Sequence, residues 1–561
     1  MSKLGKLIFF FFLIAIFLFE GLGIKNGRQI SFFLILLLPF FLTIISLIKK
    51  RSFVIPKRIG ILFSVFIFLS FVSTFLGVQK QVAFEQSLMY LAVFLVFLYV
   101  NSEKENLAKP ITKLILFLSI CFSASALFLQ YLLPKSLLFL RPHTDQFVWP
   151  INHTHNVLGS FLVIPLTLFL YLYLENKKKK FLALFLLFFP FFLFSYDKSA
   201  YAAFVFFILY LVFLKRSRVF LFLLTAVTLI FFLFTLRINL PGSLLQGTKQ
   251  ILTNRFYLTQ RDILSKRHQV FKDALMSIME RPRFGVGPGN YKYISSKYLK
   301  VPFAKVQTAH NIFLDVLSEQ GIIAGFVFAG IIFLIIKKSK RGAFFAVFIT
   351  VLVLFQGDYS HRFYSFFLLF FIIAGLIYEE KEKLKVNKTI IFVIASIVAT
   401  ITLLALLSNL FYFKKNYKLA FLLYPLNEKT YIPLINKCQR TKDLPCQEKY
   451  IGLYEKLFSA RAQGLNYIAH WYLNHNQPAV ALDQFRNVYL WDPYFPSVVN
   501  NIYKLEKRRY GSTTALSFVN SYFQKLENMK VPLYYRRRIY IFRQANRFCK
   551  QLYYNRCPYR L

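Results

Sequence analysis

Acidic residues are scarce in this chain. Its 561 residues include 24 Asp and Glu against 70 Lys and Arg, a formal net charge of +46. Cysteine is rarer still, at 5. Several signatures are also missing, and each absence excludes something. No Gly-Lys-Ser/Thr follows the glycine-rich stretch Gly285–Gly289, so it is not a Walker loop. No strand–turn–helix pattern surrounds it either, which removes a dinucleotide fingerprint. Neither tail cysteine pair has the short spacing of a zinc site. The first apolar run, Leu7–Ile24, has no small-x-small cleavage site and more runs follow it, so it reads as a retained helix and not as a signal peptide.

What is abundant is apolar. The chain is 57% hydrophobic and holds 70 phenylalanines. Soluble folds expose only small contiguous apolar patches, so this composition points to a polytopic membrane protein. A bilayer-crossing helix takes about 17–25 residues. About thirteen spans are predicted, at 7–24, 30–48, 59–78, 87–101, 113–133, 157–174, 181–196, 199–214, 219–236, 310–336, 342–355, 363–378 and 389–413.

The charge excess invites a nucleic-acid reading, but its placement excludes one. The basic clusters are Lys49-Lys50-Arg51 with Lys57-Arg58, Lys104 with Lys109 and Lys113, Lys177–Lys180, Lys215–Arg218, Lys337–Arg341 and Lys381–Lys388. Each follows an even-numbered span. All therefore share one side with the N-terminus, and the positive-inside rule makes that side the cytoplasm. Connections 79–86, 134–156, 196–198, 237–309 and 356–362 and the tail then face outward, and the expected location is the cytoplasmic (inner) membrane.

Residues 1–413 are read as the membrane core and 414–561 as a separate α-helical domain. The stretch Tyr467–Phe485 reads as two helices joined by a polar turn, with Pro493 ending the second. It resembles a tetratricopeptide unit, whose stability requires stacked neighbours. Cys438, Cys446, Cys549 and Cys557 lie in the tail, where disulfides are permitted outside the cell. Three connectivities are open.

Four outward stretches carry candidate chemistry. The first is Thr308-Ala309-His310-Asn311…Asp315…Glu319-Gln-Gly321…Gly325. A histidine opening a membrane helix can act as general base near neutral pH. Glu319, more than two turns deeper, needs a partner and serves either function or an interhelical lock. Gly321 and Gly325 read as a small-xxx-small packing face. The second is Arg267-His268 followed by Arg281-Pro-Arg283-Phe-Gly-Val-Gly287-Pro-Gly289-Asn-Tyr291, in a basic loop suited to phosphate oxygens or lipid head groups. The third is Arg141-Pro-His143…His153-Thr-His155-Asn156. Its histidines have no spacing that specifies a metal. The fourth is Asp197-Lys198-Ser199 in the turn between spans seven and eight.

Taken in order over residues 140–378, these segments resemble the O-antigen ligase and O-antigen polymerase family of bacterial membrane glycosyltransferases. The resemblance rests on His310-Asn311…Glu319…Gly321…Gly325, on Pro282–Tyr291 with Arg267 ahead of it, on Asn156-Val-Leu-Gly, and on Asp197-Lys198-Ser199-Ala200-Tyr201. It implies a GT-C-type helical fold and transfer of a glycan from an undecaprenyl-pyrophosphate carrier to an acceptor hydroxyl outside the membrane. His310 would be the general base. Arg267 would hold the diphosphate, with Arg283, Arg141, Asn156 and Asn311 as further substrate contacts. Glu319, Gly287 and Gly289 would be structural. The family's second arginine falls on Lys198, which keeps the charge but loses the bidentate fork. No cofactor, metal or nucleotide sugar is implied. The expected partners are the lipid-linked donor, a glycan, lipid or protein acceptor, and membrane lipids. Two other readings compete: a flippase of lipid-linked sugars, disfavoured because no repeat halves with broken midplane helices are evident, and a non-catalytic assembly protein that docks partners through its tail.

Overall fold

The computed structural model describes residues 3–21, 27–48, 53–128, 155–195, 197–214, 224–225, 228, 263–298, 306–493, 496–527, 536–553 and 557–559. Arg141, His143, His153, the ninth span apart from three residues, and residues 237–262 and 299–305 of the long loop lie outside the described residues.

The chain is all-α, apart from one two-stranded ribbon among the described residues. The membrane part comprises α1 (Lys3–Gly21), α2 (Gly27–Ile48), α3 (Lys57–Leu76), α4 (Lys80–Ser102), α5 (Lys104–Leu127), α6 (His155–Asn176), α7 (Lys179–Leu193) and α8 (Lys198–Phe213). After the long loop's α9 (Ile263–Glu280) and α10 (Tyr291–Tyr298) come α11 (Ile312–Lys338), α12 (Ala343–Leu354), α13 (Tyr364–Ile377) and α14 (Lys388–Phe413). Among the described residues, seven of these helices are long and apolar enough to cross a membrane, with α8, α12 and α13 as shorter apolar helices.

Two expected connections are helical instead. Residues 80–86 form the first turns of α4, and 104–112 the first turns of α5, so the two helices nearly abut at Glu103. Hydropathy marks where a helix leaves the apolar layer, whereas helical hydrogen bonding continues past it, in α5 even through Pro110.

The connections segregate to two ends of the bundle. At one end β1 (Phe53–Pro56) pairs antiparallel with β2 (Lys383–Val386), Phe53 opposite Val386 and Pro56 opposite Lys383. Arg58 reaches Glu382 at 3.1 Å, Lys104 reaches Glu379 at 3.2 Å, and Ser339 bridges Tyr378. Four of the lysine-rich connections therefore touch one another. At the opposite end, Val78 donates its N–H to Val286 O at 3.0 Å, and the Ser199 hydroxyl donates to Gly357 O at 3.0 Å.

Helix ends inside the apolar layer must satisfy their own backbone groups. Glu20, buried at the end of α1, accepts the N–H groups of Tyr364 and Ser365 at 2.8 and 2.7 Å and so caps α13. At the far end of α13, Asn101 of α4 donates to the carbonyls of Gly375 and Tyr378 at 3.0 and 2.8 Å.

The tail begins with α15 (Tyr417–Leu423), α16 (Tyr431–Arg440) and α17 (Leu444–Leu457). It continues with the pair α18 (Ala462–Asn474) and α19 (Pro478–Trp491), then α20 (Pro496–Tyr510), α21 (Ser512–Glu527) and α22 (Arg536–Leu552). The expected two-helix unit is α18–α19, closed by the turn His475–Gln477, with fully buried Ala469 and Ala481. Cys438 bonds Cys446, and Cys549 bonds Cys557. The division at residue 414 marks the end of the last apolar helix but does not divide the packing. One apolar core joins Val78, Val270, Ala274, Val286 and Ile294 to Tyr431, Tyr454, Phe458 and Leu465.

Candidate active site

α11 is the element on which the site is built. It is interrupted at Gly321, whose φ and ψ are 84° and 176°. That backbone region is open essentially to glycine alone. A Cβ at Gly321 would overlap the Arg283 carbonyl. Gly325 packs against Leu317 of the same helix. The expected small-xxx-small face is therefore corrected: Gly321 is a helix break pressed on the long loop, and Gly325 lets the two halves of α11 approach each other.

The break exposes backbone groups, and the loop 281–290 takes them up. Val286 and Gly287 donate to the Ser318 and Glu319 carbonyls at 3.2 and 2.7 Å, and Ile322 donates to Pro282 O at 2.8 Å. The loop can follow this path because Gly287 and Gly289 have φ of 99° and 73°. The glycine-rich motif and the His310 motif are thus one structural unit.

Glu319 finds its partners here. Its carboxylate accepts the N–H groups of Gly289 and Tyr291 at 2.8 and 3.1 Å and meets the Arg362 guanidinium at 2.6 Å. Asp315, one turn earlier on the same face, accepts from Arg362 Nε at 3.2 Å, Thr308 Oγ1 at 2.6 Å and Ala309 N–H at 2.7 Å, and bonds His361 Nε2 at 2.5 Å. Arg362 thus forks across two buried carboxylates. Burial opposes its charge, but Asp315 and Glu319 hold its pKa well above the ordinary guanidinium value. Glu319 is a lock between α11, the loop and residue 362.

His310 sits at the mouth of this network. It is half-buried and left-handed, with φ of 55°, a conformation that histidine tolerates better than most residues. Its N–H bonds Thr308 Oγ1 at 3.0 Å, and Thr308 in turn bonds Asp315. Its ring meets Tyr359 edge-on, with centroids 5.6 Å apart. Asn311 is the N-cap of α11: its side-chain oxygen accepts from Phe313 and Leu314 at 3.0 and 3.1 Å. Its amide donates to Gln356 O at 3.3 Å.

Connection 356–362 is the hub, although no motif in the sequence singles it out. Asp358 lies 3.2 Å from the Ser160 hydroxyl of α6, which is also 2.9 Å from Asp197. Asp197 is the N-cap of α8 and accepts from Ser199 and Ala200. Burial, and then the Asp358 carboxylate, push Asp197 up to about 8. Lys198 follows it as the first residue of α8. The hub thereby joins the starts of α6, α8, α11 and α13. Its signal in the sequence is the density of ionisable residues, Asp358, His361 and Arg362, in so short a link between apolar helices.

Other expected residues fall nearby or apart. Arg267 lies in α9 and Asn156 in the first turn of α6, with side chains outside the description. Arg283 is exposed on the loop. A group of cations that was not anticipated gathers beside the loop. Lys292 Nζ and the Arg461 guanidinium lie over the Tyr293 ring, at 5.0 and 5.9 Å from its centroid. Arg28 donates to Arg362 O at 2.8 Å and lies over Tyr364. Burial, then Arg28 and Arg461, pull Lys292 down to about 8. These residues come from the first hairpin, the long loop and the tail.

Residues 182–329 match the family described as O-antigen ligase. This stretch, about a quarter of the chain, is similar to that family and supports the resemblance drawn from its motifs. The matched region holds Lys198, Arg267, the 281–290 loop and His310 through Gly325, and ends before the hub. The O-antigen ligase family implies a multi-pass membrane enzyme of the glycosyltransferase kind, acting on lipid-linked glycans. No curated protein and no solved structure matches the chain.

Proposed function

We propose that this protein transfers a glycan from an undecaprenyl-pyrophosphate carrier to an acceptor hydroxyl at the outer face of the cytoplasmic membrane, with His310 as general base. The observation that carries this reading is the way His310 is held. Its backbone is fixed through Thr308 to Asp315, and Asp315 is fixed by Arg362 and His361. Such positioning is what proton transfer requires. In the reaction His310 takes the acceptor proton, the acceptor oxygen bonds the anomeric carbon, and the bond to the diphosphate oxygen breaks. The leaving diphosphate gains negative charge, which nearby cations stabilise. Arg267 and Lys198 fill this role by family resemblance, and the Arg28, Lys292 and Arg461 group supports it by position. The tail, packed on the loop beside this group, presents the acceptor, which is a glycan, a lipid or a protein.

The flippase reading gains one feature, because α11 is a broken helix. Its freed backbone groups are consumed by the 281–290 loop. In transporters such groups line an ion or substrate path. The glycosyltransferase reading is therefore preferred.

His310→Ala is the test, with the purified protein and an undecaprenyl-pyrophosphate-linked donor. Transfer should fall by about 10²–10⁴-fold while donor binding persists. Undiminished transfer overturns the assignment.

A further inference from the structure

A second candidate binding site lies at the opposite end of the bundle, where the lysine-rich connections gather. A cavity of about 590 Å³ opens between α1 and α5. Lys6 of α1 and Lys109 and Lys113 of α5 line it. Its apolar lining includes Phe10, Ile14 and Leu114, and Glu105 and Asn106 complete the polar part beside the lysines.

The order of these residues along the helices matters. Phe10 and Ile14 follow Lys6 at four-residue steps, so all three share one stripe of α1. Each step descends about 6 Å along the helix. On α5 the order repeats, with Lys109 and Lys113 leading to Phe117, which also lines the cavity and is 49% exposed. Both helices begin at the same end of the bundle. The cavity therefore has a cationic mouth at the membrane edge and an apolar interior that opens sideways toward lipid. Among the described residues none of the three lysines makes an ion pair, and Glu105 is the one carboxylate in the lining. Three ammonium groups over an apolar slot complement an amphiphile with a negative head.

We propose that this cavity binds one phospholipid with an anionic headgroup. Lys6, Lys109 and Lys113 hold its phosphate, and one acyl chain lies on Phe10, Ile14 and Leu114. The site is independent of the transfer reaction, which is placed at the other end of the helices. By the charge asymmetry of the connections, the lipid belongs to the cytoplasmic leaflet.

The experiment uses the full chain in detergent, titrated with phosphatidylglycerol and followed by native mass spectrometry. The cavity variant carries Lys6→Gln, Lys109→Gln and Lys113→Gln. A control variant carries Lys337→Gln, Lys338→Gln and Lys340→Gln, which removes as much charge from the same end. A basic residue near an anionic lipid surface contributes about 1 kcal/mol, or about fivefold. The cavity variant should bind one phosphatidylglycerol on the order of a hundredfold more weakly, with the control close to wild type. Equal losses in both variants would mean diffuse attraction and would overturn the proposal. Diacylglycerol binding as tightly as phosphatidylglycerol, or displacement by millimolar glycerophosphate, would overturn it as well. The first would show an apolar slot alone, the second a phosphate site without a lipid.

Discussion

Arg362→Met isolates the lock beneath His310. The substitution keeps an unbranched side chain but removes a guanidinium that meets Glu319 at 2.6 Å and Asp315 at 3.2 Å. Removing one partner of a buried ion pair costs about 3–5 kcal/mol, because the other charge is left uncompensated. The two carboxylates are not equally exposed to that loss. Asp315 retains His361, Thr308 and the Ala309 N–H, whereas Glu319 retains only the N–H groups of Gly289 and Tyr291 among its described bonds. Glu319 should therefore take up a proton and loosen its hold on the 281–290 loop. Hydrogen exchange in detergent reads this directly. Opening of the segment carrying Gly289 and Tyr291 should become easier by about 3 kcal/mol, so its amides should exchange on the order of a hundredfold faster, while α4 keeps its protection. Adding Glu319→Gln removes the orphaned charge and should recover part of the loss, a coupling that a double-mutant cycle measures. Unchanged exchange at Gly289 and Tyr291 in Arg362→Met would refute the lock.

Other consequences are equally open to measurement. Gly321→Ala forces a glycine-only conformation and an overlap with the Arg283 carbonyl. It should cost roughly 3 kcal/mol or more, visible as a lower melting temperature in detergent and as loss of loop protection. Asp197 has a folded pKa raised from 3.8 to about 8. Its protonated form is favoured in the folded state, so its contribution to stability is fullest below pH 4 and is lost as pH rises toward 8. Asp197→Asn retains a capping side chain and should flatten melting temperature across that window, as a pH series of thermal melts would show. Truncation after Tyr510 spares the core shared by loop and tail, whereas truncation after Phe413 exposes Val78, Val270 and Val286. The first variant should elute as a single species in size exclusion and the second should aggregate. The opposite pattern would separate the tail from the loop.

Much of this was legible in the sequence, and the limits are physical. The sixth to eighth and the last four expected spans coincide with helices to within a few residues, because twenty apolar residues in a bilayer have few alternatives to a helix. His310 was found because it opens such a helix. Glu319 was found because a carboxylate in an apolar run needs a partner. The partner itself, Arg362, was not found: it lies 43 residues further on, and no local pattern names it. Gly321 and Gly325 misled for a related reason. Their spacing fits helix packing, and only the loop pressed against residue 321 shows that the helix breaks there.

The sequence by itself determined the membrane class, the placement of the basic connections at one end, the helical hairpin in the tail and the candidate base. Each of these depends on local hydropathy, charge or periodicity, properties carried by a few neighbouring residues. The tertiary structure alone decided which cysteines pair, which guanidinium answers Asp315 and Glu319, and that Arg28, Lys292 and Arg461 gather beside one loop. Those outcomes depend on how separate segments pack, and pairing among distant charges is selected by the geometry of that packing and not by the residues' own preferences.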